Sequence, residues 1–132
     1  MNPLRVQGVV GPGQGIATGL GCPTANLRLE EGLVIPAEGI YLGISTVDGT
    51  LYPSLACVGA GRDQNYFKIE VHLIDQKIDL QGKHLAIDLL KRTRGLVPWQ
   101  NEEMMKEIIA KDMDEAYKWF EENKELIIEL EK

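Results

Sequence analysis

The stretch Tyr66 to Ile74, YFKIEVHLI, alternates without a break. Phe67, Ile69, Val71 and Leu73 fall on one side, and Tyr66, Lys68, Glu70 and His72 on the other. Side chains of a strand alternate between its faces, so this stretch is a half-buried strand with a polar outer face. The rest of the chain supplies partners of similar length. Leu4 to Val10 is a Val-rich strand that ends in glycine, and residues 11–22 are a loop containing Pro12. Residues 23–29 are extended, because Pro23 fixes its own φ and biases Cys22 away from helix. Gly39 to Val47 is a strand, Asp48-Gly49 a hairpin turn, and Leu51 to Val58 the return strand. Pro53 demotes the first half of that return strand to an edge or a bulge. Residues 59–65 form a polar loop, a short strand is possible around Ile78 and Leu80, Leu85 to Leu90 is the last strand, and Arg92 to Pro98 is a loop.

The pattern changes after residue 100. Asn101 caps a helix, and Glu102 and Glu103 sit in its first turn, where they favour the positive end of the helix dipole. Met105, Ile108, Ile109, Ala116 and Phe120 form one apolar stripe, and Asn123 ends or kinks the helix. A last helical turn or two carries Leu126, Ile127 and Leu130. Five to seven short strands followed by one amphipathic helix define a mainly β (α+β) domain. A small closed antiparallel barrel is the economical way to hide the strand edges. At 132 residues, the expectation is a single domain over 1–132, with residues 1–99 as barrel and loops and 100–132 as a C-terminal helical segment.

Charge and cysteine content narrow the function classes. The net charge of −6 comes from the C-terminal third: from Gln100 onward there are 11 acidic and 5 basic residues, whereas residues 1–99 carry 9 of each. With no basic stripe, nucleic acid is not expected as a partner. No stretch has the length of an apolar membrane span and no signal peptide is visible, so a cytoplasmic, membrane-free location is expected. Cys22 and Cys57 form no C-x-x-C and read as small buried hydrophobes, and His72 and His84 lack the spacing of zinc ligands.

Residues 8–27, GVVGPGQGIATGLGCPTANL, carry the clearest chemistry. Glycines let backbone amides approach an anion, and Thr24 and Asn26 offer short oxygen-bearing side chains suited to a hard cation or a phosphate. Composition alone equally allows a flexible β-turn. No G-K-[ST] follows, so this is not a Walker loop, and Pro23 with Thr24 and Asn26 argues against the helix that a dinucleotide fingerprint needs. Glu70 is the candidate general base, an acid in mid-strand where Glu is depleted; the plainer reading is a solvated carboxylate beside Lys68. His72 reads as a supporting hydrogen-bond partner on the same face.

These residues resemble the riboflavin kinase (flavokinase) family. The opening stretch is similar to the family's strand, glycine-rich flap and L-G-x-P-T-A-N. Pro36-Ala37-Glu38-Gly39-Ile40-Tyr41 resembles its L-P-x-x-G-[IV]-Y, and Ile69-Glu70-Val71-His72-Leu73 its E-x-H segment. Asp79-Leu80-Gln81-Gly82 resembles its D-[LF]-Y-G, and Arg94 with Trp99 its L-R-x-x-x-x-[FW]. Ile109, Asp112 and Ala116 resemble the closing helix, so the likeness spans nearly the whole chain.

The resemblance implies a six-stranded antiparallel Greek-key β-barrel with a C-terminal α-helix. It implies transfer of the ATP γ-phosphate to the ribityl 5′-hydroxyl of riboflavin, giving FMN; the expected partners are these small molecules, with the chain a monomer. Carried onto this chain, Gly11, Gly13, Gly15, Thr18, Gly21, Pro23, Thr24 and Asn26 bind the nucleotide phosphates, and Thr24 and Asn26 hold Mg²⁺. Glu70 is the base, and Arg94, Leu96 and Trp99 belong to a second flap over the flavin. Tyr41, Trp119 and Phe120 read as core. The chain departs from the family pattern at Gly59–Asp63, which lacks a G-x-x-P-T segment, at Gln76 and Gln81, where aromatics are usual, and at Gly95–Pro98. Those positions touch the base pocket and the flavin flap, and they leave open a non-catalytic flavin- or nucleotide-binding module as the alternative.

Overall fold

The computed structural model describes residues 4–14, 24–29, 36–60, 67–98, 100–125 and 128. Six strands precede one helix: β1 (Leu4–Gln14), β2 (Ala25–Leu29), β3 (Gly39–Val47), β4 (Thr50–Ala60), β5 (Phe67–Leu73), β6 (His84–Arg94) and α1 (Glu102–Glu122). The strands pair in the order β1-β2-β5-β4-β3-β6 and close into a barrel, with every pair antiparallel. Three consecutive strands, β3, β4 and β5, lie side by side, and β6 returns beside β3, which is the Greek key. The barrel through Leu96 and the segment from Val97 that contains α1 form two compact units.

The interior follows the alternation. Ile69, Val71 and Leu73 of β5 are buried, as are Val6 and Val10 of β1, Leu27 of β2, Val58 of β4, and Leu85 and Ile87 of β6. Small residues fill the wall between β3 and β4, where Ser54 Oγ lies 2.7 Å from Ser45 Oγ and donates to the Tyr52 carbonyl at 2.9 Å. Both hydroxyls are therefore satisfied although fully buried. The outer face over β3 and β4 is also buried, at Leu42, Ile44 and Leu55, which matches the nearly continuous apolar run of β3.

The β3–β4 hairpin turns at Asp48-Gly49, with φ of 50° and 80°, and Val47 pairs with Thr50 across it. Two successive positive φ values give a turn whose twist matches the strands, and glycine takes the second at no steric cost. Pro53 pairs with Ile44 of β3, while the β4–β5 ladder begins one residue later at Ser54. The Pro53 carbonyl accepts from the Ile74 amide at 2.9 Å, so its missing N–H faces the end of that ladder.

Three elements differ from the sequence expectation. The first strand runs past Val10 to Gln14, because β1 advances from Val10 to Gln14 while β2 advances only from Leu27 to Ala25. The bulge takes up Gly11, Pro12 and Gly13, which need no place in the regular ladder. The last strand runs past Leu90 to Arg94, with register shifts opposite Ile40/Tyr41 and Leu42/Gly43 that leave Thr93 and Leu90 as the extra residues of β6. No strand forms around Ile78 and Leu80; Leu80 is buried in a turn region and its carbonyl accepts from the Lys83 amide at 2.9 Å.

In the second unit, Asn101 caps α1 by accepting from the Met104 amide at 2.9 Å, and Asn123 closes it with its backbone N–H on the Phe120 carbonyl. Ala116 and Phe120 are buried, and Met105, Ile108 and Ile109 are half-buried on the same stripe. Trp119 and Phe120 meet edge to face at 5.1 Å. Leu126, Ile127 and Leu130 lie outside the described residues.

Candidate functional site

In an antiparallel sheet, residues directly opposite one another point to the same face. Asn26 of β2 is opposite Glu70 of β5, and Glu70 is opposite Cys57 of β4. Cys57 is opposite Ile40 of β3, and Ile40 is opposite Arg94 of β6. The flanking residues Leu27, Ile69 and Val58 point into the core, so this five-residue row crosses the outside of the barrel. Thr24 stands two residues before Asn26 and shares its face, as does His72, two residues after Glu70.

The polar end of the row is not the fully solvated surface that alternation alone suggests. Glu70, Asn26 and Thr24 are half-buried and His72 is buried. Asn26 Oδ1 is buried and has no hydrogen-bond partner among the described residues; Thr24 Oγ1 is buried as well. A buried acceptor without a partner costs on the order of 1–3 kcal/mol, which a bound ligand or cation removes. One strand spacing separates Asn26 from Glu70, so a carboxylate shares the face of a buried amide oxygen that has no partner among the described residues.

The other expected residues sort as follows. Gly11 and Gly13 belong to β1 and its bulge, not to a loop. Gly15, Thr18, Gly21, Pro23 and Trp99 lie outside the described residues. Arg94 ends β6 in the same row, three strands from Glu70, and its Nη1 donates to the Gly95 carbonyl at 3.0 Å. Leu96 is 42% exposed, and its Cδ1 lies 2.8 Å from where a Cβ on Gly59 would stand. Gly59 is part of β4, opposite Lys68, and not the start of a loop. Cys57, expected as a small buried hydrophobe, is half-buried on this face opposite Glu70, which only the β4–β5 register reveals, and Gly59, expected to open a loop, lies on the same face.

A closed six-stranded antiparallel barrel followed by one helix is a fold shared with a solved riboflavin kinase. Residues 1–120 match the flavokinase family, described as riboflavin kinase, and the chain belongs to that family. It is 34% identical to the bifunctional riboflavin kinase/FMN adenylyltransferase of Pseudomonas fluorescens, over 86% of this chain and 37% of that protein. The chain spans less than half the length of the curated relatives it matches. A solved structure described as a macrolide-efflux protein from Streptococcus pneumoniae is similar with a TM-score of 0.81 and 26% identity, covering 89% of this chain and 39% of that one. The riboflavin kinase of Trypanosoma brucei shares the fold, with a TM-score of 0.65, 19% identity, and coverage of 92% and 82%.

Proposed function

We propose that the chain is a riboflavin kinase, which transfers the γ-phosphate of ATP to the ribityl 5′-hydroxyl of riboflavin and releases FMN and ADP. The observation that carries this reading is the pairing of Asn26, with its unpartnered buried Oδ1, and Glu70 across the β2–β5 ladder. Phosphoryl transfer asks for positioning, for charge neutralisation on the phosphates, and for a group to take the hydroxyl proton. The ribityl oxygen forms its bond to the γ-phosphorus as the bond to the ADP oxygen breaks, and the hydroxyl proton passes to the Glu70 carboxylate. A carboxylate within hydrogen-bond reach of that hydroxyl serves as the acceptor, since the proton leaves late.

The residues present suit Mg²⁺. Thr24 and Asn26 offer neutral hard oxygens, and Mg²⁺ uses few protein ligands beside phosphates and waters. They are the residues that would hold it, and when bound the ion neutralises charge on the β- and γ-phosphate oxygens. The nucleotide phosphates are assigned to the segment from Gly11 to Pro23, including Gly15, Thr18 and Gly21. The flavin is assigned to Arg94, Leu96 and Trp99. The same reading has the protein working in the cytoplasm as a monomer on small-molecule substrates. No helix among the described residues is long and apolar enough to cross a membrane.

Incubation with riboflavin, ATP and Mg²⁺, followed by chromatography, tests the proposal. FMN is expected from the parent chain and not from Glu70→Gln, which still binds riboflavin. Riboflavin binding without FMN from the parent would assign a non-catalytic binding module, and absence of both would overturn the reading.

A further inference from the structure

The segment that follows β6 is held at its start and crosses toward β4. Arg92 donates to the Glu38 carbonyl through Nε at 3.0 Å and Nη2 at 2.7 Å. Thr93 Oγ1 donates to the Ile40 carbonyl at 3.2 Å. These contacts tie the end of β6 to the start of β3 and fix where the chain leaves the barrel. Leu96 then lies across the end of β4, where Gly59 leaves room for it. Gly59 shares the outer face of Cys57 and Glu70: it is opposite Lys68, and Cys57 is opposite Glu70. Gly59 and Glu70 are thus diagonal neighbours, about 7–8 Å apart. Leu96 has one side against this notch and remains 42% exposed. An exposed leucine over this notch presents apolar surface to whatever occupies the face.

We propose that Gly59 is a positioning residue: by lacking a side chain it lets Leu96 lie over this notch, on the face that carries Glu70, as the apolar edge against which the aromatic ring of the phosphate acceptor packs. The inference rests on the riboflavin kinase reading and adds to it a residue at a point where the chain departs from the family pattern. Among the described residues, a Cβ on Gly59 would meet only the tip of Leu96, the far end of a flexible side chain, within 4 Å. Gly59→Ala therefore moves Leu96 and keeps the barrel.

The test is steady-state kinetics of FMN formation, with riboflavin binding followed by quenching of its fluorescence, on the parent, Gly59→Ala, Leu96→Ala and the double variant. Gly59→Ala is expected to raise KM and Kd for riboflavin about tenfold, the scale of one lost apolar contact, while KM for ATP stays within about twofold. Leu96→Ala, which needs no room at Gly59, is expected to give the same shift, and the double variant no more than Leu96→Ala alone. An unchanged riboflavin KM in Gly59→Ala, equal losses for ATP and riboflavin, or additive effects in the double variant would each overturn the inference while an active parent leaves the kinase reading standing. A parent that neither binds riboflavin nor makes FMN would overturn both.

Discussion

Two polar pairs face each other across neighbouring strands on the outside of the barrel. Arg5 of β1 is opposite Asp88 of β6, and Asn26 of β2 is opposite Glu70 of β5. The first pair completes itself. Arg5 Nε and Nη2 donate to Asp88 Oδ1 and Oδ2 at 2.9 and 2.8 Å, a bidentate match that holds a carboxylate only 12% exposed. The hydrogen bonds to Asp88, and then its charge, raise the Arg5 pKa above its already high ordinary value. The second pair leaves Asn26 Oδ1 buried and unsatisfied among the described residues. Similar positions in the ladder thus serve different ends. The β1–β6 pair helps to close the barrel, whereas the β2–β5 pair carries a cost in stability that the proposed kinase function would explain as a binding capacity.

Substitutions can break or sharpen this contrast. The largest effect is expected at Glu70: Glu70→Gln should lower kcat for FMN formation by about 10²–10⁴-fold, the usual worth of a positioned general base, with the melting temperature nearly unchanged. Asn26→Leu comes next. It removes the unpartnered acceptor, so chemical denaturation should show stability kept or raised by about 1 kcal/mol, while turnover falls about 100-fold. Loss of stability in that variant would mean that the two pairs are alike after all. Arg5→Ala should do the opposite, costing about 2 kcal/mol in the same denaturation experiment by stranding the Asp88 carboxylate, with kcat and both KM values unchanged.

The smallest effect concerns an exposed pair. Lys83 donates to Asp48 at 2.6 Å, and this hydrogen bond, then the Asp48 charge, raises the lysine pKa above 10.5. A raised lysine pKa favours the folded state below the ordinary lysine value, and the benefit is lost as pH rises through the raised one. Melting scans should therefore show Lys83→Met slightly less stable than the parent at neutral pH, by less than Arg5→Ala, with the gap closing in strongly alkaline buffer.

Much of the fold is legible in short windows. The alternation of β5, the Asp48-Gly49 turn, the Asn101 cap and the apolar stripe of α1 involve residues within a few positions of one another, where local geometry acts alone. The candidate site was legible in part. Thr24, Asn26 and Glu70 carry signals of their own in an unusual glycine-rich segment and a mid-strand acid. Cys57 carries none, and Gly59 stands out only as the start of a stretch that departs from the family pattern, because a small residue in a strand looks the same whether or not a distant side chain rests on it. The strand ends at Gln14 and Arg94 were missed for a related reason: bulges are settled by the partner strand, and glycine, proline and arginine read locally as loop.

The sequence by itself therefore determined most of the elements, the buried side of β5, and the residue types available for phosphate and proton chemistry, since all of these depend on neighbours along the chain. Only the tertiary structure decided the register. Arg5 meets Asp88 across 83 positions, Asn26 meets Glu70, and Leu96 finds room at Gly59 because separate strands pair at one alignment. A shift of one residue would turn every side chain of a strand to the other face, and no local pattern records which alignment the closed barrel selects.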